Sequence, residues 1–194
     1  MNNVSSLLGV ILAGGQSRRM DGIDKYGISV GGKTLINHIL ERLSPQVTNL
    51  IINAQDTNIL EGFKVVPDQE SHLGPIGGLY SALNYALEND YRKIVTVPCD
   101  TPFIPNDFVE KLLRIKDSSC VIACSGGRLH PVLGLWDVSI INDVKASIEC
   151  GEYTLMKLIK KLDYIEGEWT ENPDPFFNIN TREDIKVAES RFIL

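Results

Sequence analysis

The segment LLGVILAGGQSRRMDGIDK, residues 7–25, decides the fold class of this chain. Its first seven residues form an almost unbroken apolar run, and Gly14 and Gly15 follow that run directly. A short apolar run without polar alternation is typical of a strand that is buried on both faces. Strands of that kind belong to sheets that helices cover on both sides, so residues 7–13 predict an α/β fold.

Further apolar segments alternate with helical patterns along the rest of the chain. Strands are predicted at residues 49–54, 63–68, 93–100, 119–124 and 131–136. Helices are predicted at residues 34–43, 78–87, 105–115 and 154–162, with a last helix from the N-cap Thr181. This alternation predicts a Rossmann-like three-layer sandwich, with a mostly parallel central sheet and helices on both faces. The 194 residues are enough for one such domain and too few for two.

The composition excludes several classes of function. The formal net charge of −6 argues against a broad nucleic-acid-binding surface, which needs clustered lysine and arginine. The apolar run at residues 7–13 is too short to span a bilayer, and it lacks the basic flank and cleavage site of a signal peptide. We therefore expect a cytoplasmic protein whose partners include neither nucleic acid nor a membrane.

The four cysteines indicate reduced thiols. No CxxC pair occurs in the chain. Cys120 and Cys124 flank a predicted strand that separates them by roughly 13 Å, too far for two ligands of one zinc ion. We expect all four cysteines to be reduced and partly buried; they are Cys99, Cys120, Cys124 and Cys150.

Polar residues and glycines follow four of the predicted strands. The first strand leads into Gly14 and Gly15, the second ends at Asn53, the third at Asp68 and the fourth at Asp100. Ligands of open α/β sheets bind outside the carboxyl ends of the strands. The sequence therefore predicts a ligand site that these residues form together.

The loop after the first strand has the composition of a phosphate-binding segment. Its glycines let backbone N–H groups approach phosphate oxygens, and Arg18, Arg19 and Lys25 add cationic donors. Asp100, at a strand end, is well placed to hold Mg²⁺ bridging triphosphate oxygens. The alternatives are a solvated basic loop and an aspartate that caps the turn at Thr101.

A second glycine-rich segment matches the sequence pattern of a P-loop, which is another nucleotide-binding motif. Residues 27–34, GISVGGKT, match the P-loop pattern G-x-x-x-x-G-K-[ST]. No buried strand is predicted before Gly27; the pattern favours instead a short strand, a Gly31-Gly32 turn, and a helix that begins at Lys33 and Thr34. A P-loop NTPase remains an alternative, in which Lys33 would be the essential cation.

Four segments resemble the molybdenum cofactor guanylyltransferases, the MobA family of nucleotidyltransferases. They are LAGGQSRRMDGIDK at 12–25, PCDTPFIP at 98–105, HPVLGLW at 130–136 and FNINTREDI at 177–185. With shorter matches between them, the resemblance covers nearly the whole chain in order. It implies Mg²⁺-dependent transfer of GMP from GTP to the terminal phosphate of molybdopterin, with release of pyrophosphate. It also implies a nucleotide- and Mg²⁺-binding part at about residues 1–105 and an acceptor-binding part at about 106–194.

The resemblance also implies roles for individual residues. Catalytic roles fall to Asp100, Lys25 and Arg19, and Asp100 would also be the metal ligand. GTP contacts fall to Leu12, Ala13, Gly14, Gly15, Lys25, Asn53, Asp68 and Asp100. Acceptor contacts fall to Asn178 and Asn180; His130 is a further acceptor candidate, from its position before a predicted strand rather than from the resemblance. Other cofactor-synthesis proteins or molybdoenzyme chaperones are expected as transient partners.

One residue departs from the family pattern. Asp21 stands where the family usually has glycine, and an acidic side chain there would repel a triphosphate unless it points outward or assists the metal. Two alternatives therefore stay open: a related cytidylyl- or sugar nucleotidyltransferase, and a catalytically silent homologue that binds GTP.

Overall fold

The computed structural model describes residues 6–14, 25–56, 60–69 and 73–192, and it confirms the α/β fold. The strands in these ranges are β1 (Leu7–Leu12), β2 (Ser29–Val30), β3 (Lys33–Thr34), β4 (Asn49–Asn53), β5 (Lys64–Val66), β6 (Lys93–Pro98), β7 (Cys120–Ser125), β8 (Arg128–Asp137) and β9 (Tyr164–Trp169). The α-helices are α1 (Leu35–Leu43), α2 (Pro75–Glu88), α3 (Phe108–Arg114), α4 (Ile141–Glu149), α5 (Leu155–Lys161) and α6 (Arg182–Phe192).

The central sheet has the strand order β5-β4-β1-β6-β8-β7-β9. The four strands from β5 to β6 are parallel, and β9 is parallel to β7. β8 alone runs antiparallel to its neighbours, β6 and β7. The sheet is therefore mostly parallel, as predicted, and the carboxyl ends of β1, β4, β5 and β6 lie along one edge.

Helices cover both faces of the sheet, which confirms the three-layer arrangement. On one face, Ile39 of α1 and Leu112 of α3 belong to the same apolar cluster as Ile11 of β1. On the other face, Leu83 of α2 clusters with Val10 of β1. Val10 and Ile11 are adjacent, so their side chains point to opposite faces of the strand. Burial of both faces explains why residues 7–13 show no polar alternation.

Two elements are missing from the sequence prediction. The strand β9 lies at the sheet edge, with Glu166 and Glu168 exposed and Gly167 and Trp169 buried. The two glutamates interrupt the apolar sequence, so β9 lacks the continuous apolar run that indicates the other strands. The helix α4 carries Ile141, Val144 and Ile148 at helical spacing, so the sequence prediction missed a pattern that was present.

Several boundaries also differ from the prediction. Lys33 and Thr34 do not begin a helix; they form β3, which pairs with β2 in a hairpin. The predicted helix at 105–115 begins only at Phe108, because the preceding residues form a turn in which the Phe108 N–H donates to the carbonyl of Pro105. The predicted strands at 63–68 and 93–100 are shorter, and the one at 131–136 is longer.

The cysteines follow the prediction that no disulfide forms. None of the four is in a disulfide; Cys99, Cys120 and Cys124 are buried and Cys150 is exposed. Burial raises the pKa of the Cys120 thiol to about 12, so that thiol stays protonated. In the described ranges, no helix has the length and apolar character needed to cross a membrane.

The strand β8 bulges out of its ladder with β7. Ile122 pairs with Gly134, whereas the next residue, Ala123, pairs with His130. The three residues between them, 131–133, are therefore left out of the pairing with β7. They form part of the wall of the cavity described below.

Thr96 on β6 ties this bulge to the core. Its hydroxyl donates to the carbonyl of Val132 at 2.7 Å and accepts from Nε1 of the fully buried Trp136 at 2.8 Å. One hydroxyl thus accepts the hydrogen bond of a buried indole N–H and also donates to the carbonyl of Val132, a residue of the bulge that is not paired with β7.

We predict that Thr96→Val lowers the free energy of unfolding by about 1–3 kcal/mol, because it keeps the volume but leaves the Trp136 N–H without its acceptor. Urea denaturation followed by Trp fluorescence measures the change. Thr96→Ser, which keeps the hydroxyl, is the control and should lose less. Equal stability of Thr96→Val and the unaltered chain would contradict this role.

Candidate active site

A cavity of about 630 Å³ opens at the edge of the sheet where β1, β4, β5 and β6 end. Its lining includes residues that the sequence analysis selected: Leu12, Gly14, Lys25, Asn53, Asp68, Asp100, His130 and Asn178. The structure therefore brings these strand-end residues together around one cavity. The chemistry of the cavity depends on how these side chains are held.

Lys25 lies at the centre of a polar cluster in this cavity. Its ammonium group donates to Asp100 Oδ2 at 2.8 Å and to Asn180 Oδ1 at 2.6 Å. The side chains of Lys25 and Asp100 are 22 % and 13 % exposed, so the ion pair is only partly screened by water. The cation thus faces a carboxylate on one side and an amide oxygen on the other.

The C-terminal segment reaches this cluster through the backbone. The N–H of Ile179 donates to the carbonyl of Asp100 at 2.9 Å. Asp184 accepts from the N–H groups of Asn180 and Thr181, and the Thr181 hydroxyl accepts from the Asp184 N–H at 3.1 Å. This reciprocal cap confirms the helix start predicted at Thr181, and it fixes Asn180 beside Lys25.

The Asp100 carboxylate fits a cation. While Oδ2 accepts from Lys25, Oδ1 is buried and has no hydrogen-bond partner within the described part of the chain. A buried acceptor without a partner is costly, and a carboxylate oxygen is the ligand type that Mg²⁺ prefers. Among the described residues, no group of three or more His, Cys, Asp or Glu could hold a metal. Asp100 therefore suits an ion that arrives with further ligands of its own, as Mg²⁺ does on a triphosphate.

Asn53 and Asp68 form a second polar pair on the cavity floor. Asn53 Nδ2 donates to Asp68 Oδ1 at 2.7 Å and to the carbonyl of Val66 at 3.0 Å. Both amide hydrogens are thereby used, which fixes the orientation of the Asn53 side chain. Its oxygen and the second Asp68 oxygen remain as acceptors near Gly14, 3.9 Å and 3.8 Å from where a Cβ on that glycine would lie.

Gly78, in the first turns of α2, is required by this arrangement. A Cβ on Gly78 would lie 2.4 Å from Asn53 Oδ1 and 3.1 Å from Leu12 Cδ2. The helix can therefore approach the ends of β1 and β4 this closely only with glycine at that position. Gly78 belongs to the glycine-rich stretch at 74–78, which also contributes Gly74 and Pro75 to the cavity wall.

The opposite wall comes from the bulged part of β8 and includes Arg128 and His130. His130 is buried, and its Nε2 lies 2.8 Å from the hydroxyl of Ser125. Burial lowers the pKa of His130, with a smaller lowering from the charge of Arg128 and an opposing effect of Asp174. The ring is therefore neutral near pH 7.

The structure places the remaining predicted residues as follows. Ala13 does not line the cavity; it is buried, and its N–H donates to the carbonyl of Asn53. Asn180 acts through Lys25 rather than as part of the wall. Gly15 and Arg19 lie outside the described residues, as do Arg18, Asp21 and His72. Arg128 and Gly78 are not among the predicted site residues, because Arg128 begins a strand and Gly78 lies in a helix, whereas the prediction used the carboxyl ends of strands.

The P-loop alternative is wrong. Residues 25–27 form a turn of 3₁₀-helix rather than a buried strand, and Lys33 lies on the exposed hairpin strand β3. Its ammonium group pairs with Glu41 at 2.6 Å and does not line the cavity. His38 is likewise structural: it is buried, and its Nε2 lies 2.8 Å from the carbonyl of Val30.

Comparison with known proteins decides the family. Residues 9–165 match the family model of the MobA-like NTP transferase domain. The chain belongs to this family. A molybdenum cofactor guanylyltransferase of Cereibacter sphaeroides is 36 % identical over 186 residues, which cover 95 % of this chain and 96 % of that protein. Another, of Rhizobium johnstonii, is 39 % identical over 196 residues, covering 95 % of this chain and 92 % of its own length.

A solved structure supports the fold of this MobA-like domain. The molybdopterin-guanine dinucleotide biosynthesis protein A of Archaeoglobus fulgidus superposes with a TM-score of 0.79 at 23 % identity, covering 96 % of this chain and 98 % of that one. The cavity at the strand ends thus lies in a nucleotidyltransferase domain, and its polar clusters are candidates for binding a nucleoside triphosphate.

We predict that Gly78→Ala in this MobA-like domain weakens nucleoside triphosphate binding about tenfold, because the added methyl group displaces the Asn53 amide from its two hydrogen bonds. Isothermal titration calorimetry measures the affinity. The fold itself should persist, since alanine favours a helix over glycine. Gly27→Ala is the control, because nothing lies within 4 Å of its Cβ position; equal losses in both variants would contradict the close-approach argument.

Proposed function

We propose that this chain transfers GMP from GTP to the terminal phosphate of molybdopterin, in a Mg²⁺-dependent reaction that releases pyrophosphate. The observation that carries the proposal is the Lys25–Asp100–Asn180 cluster at the end of β6, in which Asp100 keeps one buried oxygen without a partner. The names of the curated relatives, which align over 95 % of this chain, support the choice of nucleotide and acceptor.

The reaction is an in-line displacement at the α-phosphorus of GTP. Lys25 binds phosphate oxygens and stabilises the charge that develops on them, since its ammonium group is already oriented by Asp100 and Asn180. The free Asp100 oxygen would hold Mg²⁺, which supplies charge neutralisation on the triphosphate. The acceptor phosphate is ionised at neutral pH, so the nucleophile needs no general base. Arg19 is proposed, from the sequence alone, to assist Lys25.

The guanine end of GTP is assigned to the Asn53–Asp68 pair. The N1–H and N2–H₂ groups of guanine form a donor edge, and both side chains offer oxygens that point toward Gly14. Cytosine has one donor on that edge, its N4 amino group, beside acceptors at N3 and O2, which carbonyl or carboxylate oxygens would repel. This complementarity favours GTP over CTP and agrees with the names of the relatives.

The acceptor is assigned to the other end of the cavity. His130 and Asn178 line the cavity, Asn180 contacts Lys25, and all three belong to the part of the chain after residue 105. The division into a nucleotide part at about 1–105 and an acceptor part at about 106–194 belongs to the same proposal, as do the cytoplasmic location and the transient contacts with cofactor-synthesis proteins or chaperones.

We predict that Lys25→Ala lowers kcat about 100-fold or more, because it removes the cation that stabilises the transferring phosphate. Lys33→Ala is the matched control: Lys33 is a lysine of the P-loop-like segment, but it is exposed and pairs with Glu41. It should leave kcat within twofold. Pyrophosphate release, measured with GTP and molybdopterin, reports both, and the reverse pattern would remove Lys25 from the mechanism.

We predict that wild-type protein binds GTP more tightly than CTP or ATP, and that omission of Mg²⁺ weakens GTP binding at least tenfold. Asp100→Asn should bind GTP equally weakly with and without Mg²⁺, because the amide keeps the shape and loses the charge that attracts the ion. Calorimetry in the two buffers measures this. Preference for CTP, or a full Mg²⁺ effect in Asp100→Asn, would contradict the assignment.

A further inference from the structure

The side chains of Ser125, His130 and Asp174 form a hydrogen-bonded cluster beside the cavity, to whose wall His130 belongs. Ser125 ends β7, and His130 follows it on β8 after a two-glycine turn. The Ser125 hydroxyl lies 2.8 Å from His130 Nε2 and 2.9 Å from Asp174 Oδ1. Ser125 and His130 are buried, whereas Asp174 is exposed and also accepts from the N–H of Phe176.

The number of hydrogens available to the Ser125 hydroxyl determines which ring nitrogen of His130 is protonated. Both contacts of the serine hydroxyl are at hydrogen-bond distance, but a hydroxyl has only one hydrogen. The Asp174 carboxylate can only accept, so the hydroxyl hydrogen lies between Ser125 and Asp174. The contact with His130 must then be made by a hydrogen on Nε2, and in the neutral ring Nδ1 carries a lone pair.

The geometry is not that of a hydrolytic triad. In such a triad the serine donates to histidine, and the carboxylate binds the other imidazole nitrogen. In this cluster the serine is the central member and gives its hydrogen to the aspartate. The hydroxyl is therefore not activated as a nucleophile, and the cluster orients His130 instead.

Nδ1 is the nitrogen that His130 offers to a ligand. His130 lines the cavity, its Nε2 is used by Ser125, and no described residue hydrogen-bonds Nδ1. The groups around the ring are Ser125 of β7, Asp174, the ring of Phe176 at 5.0 Å between centroids, and the charge of Arg128 on β8. Desolvation keeps the imidazole neutral, so Nδ1 remains an acceptor.

We propose that Ser125 and Asp174 are positioning residues that hold His130 in the Nε2–H tautomer, so that Nδ1 selects an acceptor substrate carrying an N–H or O–H donor. The choice of substrate rests on the proposed function, since a pterin carries ring and amino N–H groups of this kind. The tautomer itself follows from the described side chains and does not depend on which substrate binds.

The first test measures the tautomer on the protein alone. Long-range ¹H–¹⁵N correlation spectra of ¹⁵N-histidine-labelled protein distinguish protonated from unprotonated ring nitrogens. We expect His130 to show Nε2–H in the unaltered chain at pH 7.5 and a mixture of tautomers in Ser125→Ala. Ser125→Thr keeps the hydroxyl and should keep Nε2–H. Detection of Nδ1–H, or of a fully protonated ring, in the unaltered chain would overturn the proposal.

The second test separates acceptor recognition from nucleotide binding. Ser125→Ala should raise KM for molybdopterin about three- to tenfold, the value of one hydrogen bond, while the GTP affinity measured by calorimetry stays within twofold. Ser125→Thr should restore KM. Ser147→Ala is the matched control, because Ser147 is a buried serine on α4 that does not line the cavity.

The outcomes distinguish this proposal from the proposed function. Absence of GTP binding in the unaltered chain would contradict the proposed function and leave the tautomer measurement standing. Normal GTP binding with an unchanged molybdopterin KM in Ser125→Ala would overturn the role of the cluster. Equal increases of KM in Ser125→Ala and Ser147→Ala would also overturn it, because a general loss of packing would then account for both.

Discussion

The ion pair between Lys25 and Asp100 is the interaction on which the site depends. Lys25 follows the glycine-rich segment of the sequence, and Asp100 follows β6, so the pair joins these two parts of the chain. The contact of Lys25 with Asn180 adds the C-terminal segment. A partly exposed pair of this kind adds little to stability, so its value lies in geometry. It fixes a cation and a carboxylate side by side and leaves the second carboxylate oxygen without a partner among the described residues.

The topology of the sheet brings Asp100 and the other cavity residues together. Parallel pairing of β1 with β4 and β6 brings Gly14, Asn53 and Asp100 to one edge of the sheet. The antiparallel β8 then closes the other side of the cavity, and its bulge gives that wall a shape that a regular strand lacks. The N–H of Ile179 donates to the Asp100 carbonyl. The cavity is therefore lined by residues from both ends of the chain, from Leu12 to Asn178.

The sequence predicts the nucleotide side of this site better than the acceptor side. Gly14, Asn53, Asp68 and Asp100 could be selected because each lies at or just after the end of a predicted apolar strand, and the rule for α/β sheets then brings them together. Lys25 could be selected as a cation of the phosphate-binding segment, but its contact with Asp100, 75 positions away, could not be predicted. Asn178 and Asn180 depended on resemblance to a family, because nothing in their local pattern indicates that they lie at this cavity or beside Lys25.

The parts that escaped prediction have physical reasons. Gly78 looks like an ordinary helical glycine until the 2.4 Å approach to Asn53 is known. The strand β9 carries exposed glutamates on one face, which interrupt the apolar run that indicates the other strands. Ser125 and Asp174 are 49 positions apart, and only the folded chain shows that they share one hydroxyl hydrogen beside His130.

The most direct test of the central claim is product analysis. The protein is incubated with GTP, Mg²⁺ and molybdopterin, and the mixture is analysed by chromatography with mass detection. The proposed reaction yields one pyrophosphate for each molybdopterin guanine dinucleotide formed, and we expect little product when CTP replaces GTP. Tight GTP binding without pyrophosphate release, or efficient formation of the cytosine dinucleotide, would contradict it.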